Sequence, residues 1–262
     1  MTHIAPPPPR STRTTSSLPC KLSKGRRRRS QRIGMYGPGG IGKTTLAALL
    51  SRIGKRLLFV DLDAGSDHLD VDRIESVSTW DDLCAVLKNN TAWHDVDVAV
   101  MDSLTVAQDM CAKSILRREN VSSLEHACGG YGKGYRVLYD QMLTLLDELD
   151  KHIDAGRDVV LIMHEQTAKV PNPAGEDFLR YEPNLYRSDK VSIRHRVKEW
   201  LDHLLFVGYD VFAKDGKAVG SGTRTIYPNE LPMHWAKSRK LSEPVPFASA
   251  DDFTIWQHLF TP

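Results

Sequence analysis

The segment Gly37-Pro38-Gly39-Gly40-Ile41-Gly42-Lys43-Thr44 constrains the fold of this chain more than any other stretch. It satisfies the pattern GxxxxGK(S/T) in full. Before it lies the apolar run Ile33–Tyr36, which reads as a strand, and after it the stripe Leu46, Leu49, Leu50 and Ile53, which reads as a helix. In such a strand–turn–helix unit the glycines permit positive φ and close backbone approach, so successive N–H groups, from Gly37 through Thr45, can face phosphate oxygens. The positive end of the following helix adds to this. Lys43 would neutralise β- and γ-phosphates and Thr44 would bring its hydroxyl to Mg²⁺, so ATP and Mg²⁺ are the expected ligands. Gly37, Gly39 and Gly42 also satisfy GxGxxG, the dinucleotide-binding pattern. Lys43-Thr44 favours the triphosphate reading, because a pyrophosphate turn has no need of that lysine.

Downstream, short apolar runs alternate with helical stripes. Leu57–Val60 reads as a strand leading to Asp61 and Asp63, and Trp80–Leu87 as a helix. Val96–Met101 reads as a strand ending in Asp102. Leu138, Met142, Leu145, Leu146, Leu149 and Ile153 make one face of a long helix, and Val159–Met163 a strand ending at His164. Ile193, Val197, Trp200, Leu201 and Leu204 suggest a further helix. Leu205–Val211 and Thr223–Tyr227 suggest an antiparallel hairpin turned by Lys214-Asp215-Gly216-Lys217. Alternating strands and helices predict a mostly parallel central sheet with helices on both faces, followed from about residue 205 by an antiparallel β extension. Functional groups in such sheets gather at the carboxyl ends of the strands. Asp102 is therefore expected to hold Mg²⁺ with Thr44. At most one of Asp61 and Asp63 should face the γ-phosphate, with Asp63 as the base that orients water, and His164 could sense the γ-phosphate by hydrogen bonding.

Charge divides the chain. Residues 1–32 hold nine basic groups and no Asp or Glu, with a Pro6–Pro9 run, and are expected to be a disordered basic tail; residues 33–262 carry about −7. The tail could grip nucleic acid, could be a solvated extension or an overlong start, or could be an import signal. Apolar runs reach only about five residues, against roughly 20 for a membrane span. Cys20, Cys84, Cys111 and Cys128 form no CxxC pair, so reduced thiols in a cytoplasm are the simplest account.

The glycine loop, Phe59-Val60-Asp61-Leu62-Asp63, Gly130-Tyr131-Gly132-Lys133-Gly134-Tyr135 and Ala236-Lys237-Ser238-Arg239 together resemble the phage-encoded RecA-like P-loop ATP-binding proteins, a group that includes single-strand annealing and recombination ATPases. The resemblance spans about Ile33 to Arg239. It implies a RecA-like NTPase fold in which Lys43, Thr44 and Asp102 bind Mg·ATP. The water-polarising Glu of that family would map onto Asp63, one methylene shorter, so hydrolysis is expected to be slow. Lys237 and Arg239 match the family's Lys-x-Arg finger, which enters a neighbouring subunit's nucleotide, so a homo-oligomer with nucleotide at subunit interfaces is implied.

From these features the expected activity is ATP hydrolysis coupled to single-stranded DNA in phage-type recombination or annealing, in a bacterial host cytoplasm if phage-encoded. Tyr131 and Tyr135 would stack on bases while Lys133 and Arg136 take phosphates. A single-stranded-DNA-binding protein is a further candidate partner. The alternatives are a ParA/MinD-like partition ATPase, whose signature lysine is replaced here by Pro38, and a P-loop small-molecule kinase.

Overall fold

The structure, a computed structural model, describes residues 24–25, 29–214 and 217–260. The basic tail lies largely outside the described residues. Arg32, counted with that tail by composition, opens the first strand: its guanidinium pairs with Asp150 and sits 5.0 Å from the Trp200 ring.

In chain order the elements are β1 (Arg32–Tyr36), α1 (Lys43–Ala48, continued by a tighter turn over Leu49–Ile53), β2 (Leu57–Asp61), β3 (Arg73–Ile74), α2 (Trp80–Lys88) and β4 (Val98–Asp102). Then follow α3 (Leu104–Glu119), α4 (Lys133–Asp154), β5 (Asp158–Met163), β6 (Glu165–Val170) and β7 (Phe178–Pro183). The chain closes with α5 (Ile193–Trp200), β8 (His203–Lys214), β9 (Lys217–Tyr227), β10 (Val245–Pro246) and α6 (Thr254–Phe260).

One eight-stranded sheet runs in the order β10-β9-β8-β1-β5-β4-β2-β3. β8, β1, β5, β4, β2 and β3 are parallel, and β9 and β10 add the antiparallel edge that the sequence led us to expect. Strand alternation divides the core. Ala99, Met101, Leu161 and Met163 pack with the apolar faces of α2 to α5, whereas Val98, Val100, Val160 and Ile162 pack with α1 and α6. Trp256 of α6 donates its indole N–H to the Leu46 carbonyl at 2.6 Å, locking the last helix beneath α1.

Several elements depart from the sequence reading. α3 occupies a stretch without a clean apolar stripe, because its buried face includes Thr105, Ala107 and Cys111. β6 and β7 form a separate hairpin of polar alternation, held from below by Glu182, which is wholly buried against Arg180 and Arg194. α5 stops at Trp200; Leu201 turns extended and Leu204 belongs to β8.

Register brings the functional end of the sheet level: Tyr36 lies opposite both Met163 and Phe206, Ile162 opposite Asp102, and Asp102 opposite Asp61. No helix among the described residues is long and apolar enough to cross a membrane.

Candidate functional site

The loop after β1 is shaped by two glycines that no other residue could replace without strain. Gly37 has φ +155°, and a Cβ there would sit 2.0 Å from the Val207 carbonyl of β8. Gly42, at φ +100°, is wedged under the Arg224 guanidinium and the Phe247 ring. Arg224 donates to the Ile41 carbonyl at 2.8 Å and stacks 4.1 Å over Phe247, so β9 braces the loop from outside. Ile41 anchors the loop from beneath, its side chain fully buried in the α1 face of the core.

Lys43 folds back over the loop and donates to the carbonyls of Gly37 and Pro38 at 2.8 and 2.9 Å. Burial lowers its pKa; Asp102, Glu165 and Asp63 oppose that shift. Thr44 reaches across the tip of the intervening β5 and donates its hydroxyl to Asp102 at 2.5 Å. Asp102 is almost wholly buried, and burial pushes its pKa up to about 6, helped by Asp63 and Asp61 and resisted by the Thr44 hydroxyl and Lys43.

The two acidic residues at the end of β2 differ in what they contact. The strand ends at Asp61, whose carboxylate accepts the amides of Asp63, Gly65 and Ser66 and the Ser66 hydroxyl. Burial pushes this carboxyl up, but those bonds outweigh it and hold its pKa below the ordinary value. Asp61 thereby shapes a turn that carries Asp63 into the cleft, where His164 Nε2 lies 2.8 Å from its carboxylate and 3.4 Å from Ser103 Oγ.

Lys43, Thr44, Asp63, Asp102 and His164 line a cleft of about 560 Å³ together with Gly37, Gly39, Gly40, Gly42 and Thr45. Three further lining residues were missed from sequence: Gly65, His68 and Glu165. Only the position of Glu165, directly after His164 at a strand tip, could have pointed to it. The oxygens of Thr44 and Asp102 suit a hard divalent cation. Gly65 keeps the space beside them clear, because a Cβ there would crowd both oxygens at 3.3 Å. A cation here would offset both the burial of the Asp102 charge and its repulsion by Asp63 and Asp61. Among the described residues, no group of three or more His, Cys, Asp or Glu side chains could hold a metal on its own, so phosphate and water would complete the shell.

The remaining expected residues lie elsewhere. Lys237 turns back onto its own chain: its ammonium donates to the carbonyls of Lys198, Glu199 and Leu201, closing the carboxyl end of α5. Arg239 pairs with Asp202 at 3.3 Å, keeps two-thirds of its side chain exposed, and sits at the amino end of the strands, away from its own cleft. Tyr131, Lys133, Tyr135 and Arg136 line a second cavity of about 520 Å³. There Tyr135 stacks on Tyr186 at 4.7 Å, Arg136 pairs with Asp140 at 3.0 Å, and Tyr131 is 91% exposed.

A phosphate-cradling loop after the first strand, with an acidic residue on a strand two places away in a parallel sheet, defines a P-loop nucleoside-triphosphatase fold. The family model described as AAA domain matches residues 29–240, and the chain belongs to that family. No curated protein matches it. Among solved structures it is similar to a KaiC-like protein from the hyperthermophilic archaeon Pyrococcus horikoshii OT3, with 12% identity, 85% of this chain and 88% of that chain covered, and a TM-score of 0.46.

Proposed function

We propose that the protein is a RecA-like ATPase whose hydrolysis of ATP is coupled to single-stranded DNA. The observation that carries this reading is a short run of contacts between the two cavities. The His164 amide donates to Thr105 Oγ1 at 3.0 Å, and that hydroxyl in turn donates to the Asn184 carbonyl at 3.3 Å. The Asn184 amide donates to the His164 carbonyl at 2.8 Å. Two residues on, Tyr186 stacks on Tyr135 in the second cavity. α4 runs back to β5, so its start, Lys133, lies at the same end of the sheet as the cleft.

In the cleft, loop amides receive the polyphosphate and Lys43 offsets its charge. Bound Mg²⁺, held by Thr44 and Asp102, would supply further neutralisation of the terminal phosphates. Asp63 and His164, fixed to each other, orient the attacking water and read the presence of the γ-phosphate. Tyr131, Tyr135, Lys133 and Arg136 provide stacking faces and phosphate contacts, and the acidic balance of residues 33–262 confines DNA to that locality. Arg239 is the residue available to a neighbouring copy in a ring or filament; Lys237 is committed to α5.

The test is the ATPase rate with and without single-stranded DNA, in the parent protein and in Tyr131→Ala. Single-stranded DNA is expected to raise the rate. Tyr131→Ala removes a side chain that supports nothing in the fold and is expected to weaken DNA binding by about 1–3 kcal/mol, the value of one base–aromatic stack. A rate indifferent to DNA would remove the DNA half of the reading, and phosphate transfer to a small molecule would replace it with the kinase.

A further inference from the structure

Three acids line the cleft, and the structure separates them by what their oxygens already do. Asp102 accepts from Thr44, and Asp63 is fastened to His164. Glu165 differs: its Oε2 is buried and has no hydrogen-bond partner. Backbone geometry holds the residue in place. Glu165 opens β6 opposite Pro183, and the His164 carbonyl just before it accepts the Asn184 amide. It lines the same cleft as Lys43, Thr44, Asp63 and Asp102, so its carboxylate belongs to the wall that faces the expected polyphosphate.

We propose that Glu165 is the catalytic base of this cleft, taking the proton of the water that attacks the γ-phosphorus. The water oxygen forms the new bond to phosphorus, and the bond from phosphorus to the β–γ bridging oxygen breaks, its electron pair leaving with ADP. The proton passes to the Glu165 carboxylate and is then released with inorganic phosphate to solvent. Asp63, short by one methylene and tied to His164, positions the water rather than accepting its proton. Burial raises the Glu165 pKa above the ordinary carboxylate value, which makes it a better proton acceptor than a solvated glutamate.

This inference rests on the ATPase reading of the cleft and not on DNA, so the experiment is basal hydrolysis of Mg·ATP without DNA, alongside the affinity for a fluorescent ATP analogue. Glu165→Gln is isosteric and removes a buried charge, so its melting temperature should equal or exceed that of the parent. Its turnover is expected to fall by about 100-fold or more, the usual worth of a general base, with analogue affinity held within about threefold. Glu165→Asp keeps the charge at shorter reach and should fall in between; Asp63→Asn should lose less than Glu165→Gln. Hydrolysis by Glu165→Gln close to the parent rate overturns the proposal, as does a parallel loss of affinity and turnover, and both leave the ATPase reading standing. Absence of hydrolysis in the parent overturns both.

Discussion

Replacing Asp102 with Asn is expected to stabilise the protein without nucleotide while abolishing its response to nucleotide. The carboxyl is nearly inaccessible, and burial, helped by the field of Asp63 and Asp61, pushes its pKa up to about 6 from the ordinary carboxylate value. A pKa raised in the folded state means that the folded chain binds the proton more tightly than the unfolded one. Stability from this group is complete below the unfolded value and lost as pH rises through 6. At pH 7.5 the ionised carboxylate therefore costs about 3 kcal/mol, from 1.36 kcal/mol per unit. Asn keeps an oxygen for the Thr44 hydroxyl and carries no charge. In chemical denaturation at pH 7.5, Asp102→Asn should exceed the parent by up to about 3 kcal/mol, or about 6–12 °C in melting temperature for a domain of this size. About half of that margin should be gone at pH 5 as the parent carboxyl takes up its proton. With Mg·ATP the order reverses, because only the parent retains the carboxylate for the cation. A variant no more stable than the parent at pH 7.5 without nucleotide would refute the picture of a carboxylate kept ionised against its burial.

Lys43→Ala should abolish stabilisation by ATP, which at about 100-fold excess over the dissociation constant is worth roughly 2.7 kcal/mol; an unchanged thermal shift would remove the loop assignment. Lys237→Met should lower stability by about 1–3 kcal/mol through loss of the ammonium's bonds to the end of α5, with per-molecule turnover unchanged, measured by denaturation and ATPase assay in parallel. Arg239→Ala should instead reduce turnover with ATP affinity intact, and mixing it with Lys43→Ala should restore activity at shared interfaces; no rescue would argue against a contribution in trans.

How much of this was legible in the sequence depended on which physical pattern each part obeys. β1, β2, β4 and β5 are largely buried on both faces, so they appear as continuous apolar runs, and the loop, Thr44, Asp102, Asp63 and His164 at or beyond their ends meet in one cleft. α3 and the β6–β7 hairpin escaped because their buried positions carry Thr, Ala and Cys, or the charge pair of Glu182 with Arg194, none of which writes an apolar period. Glu165 is hidden for the same reason: it begins a strand of polar alternation that writes no apolar run. Lys237 was noticed for its Lys-x-Arg spacing, but spacing says nothing of a helix end brought close by a chain reversal between residues 200 and 237.

Arg224 has a consequence for how fast and how tightly a ligand is taken up. Tethered at Ile41 from a strand remote in sequence, the glycine loop has its shape set by the fold itself. The entropy of ordering that most flexible of segments is therefore spent while the chain folds rather than at the moment of capture. A nucleotide meets a receptor already cast, and the far hairpin, through one guanidinium, is what keeps the mould from relaxing.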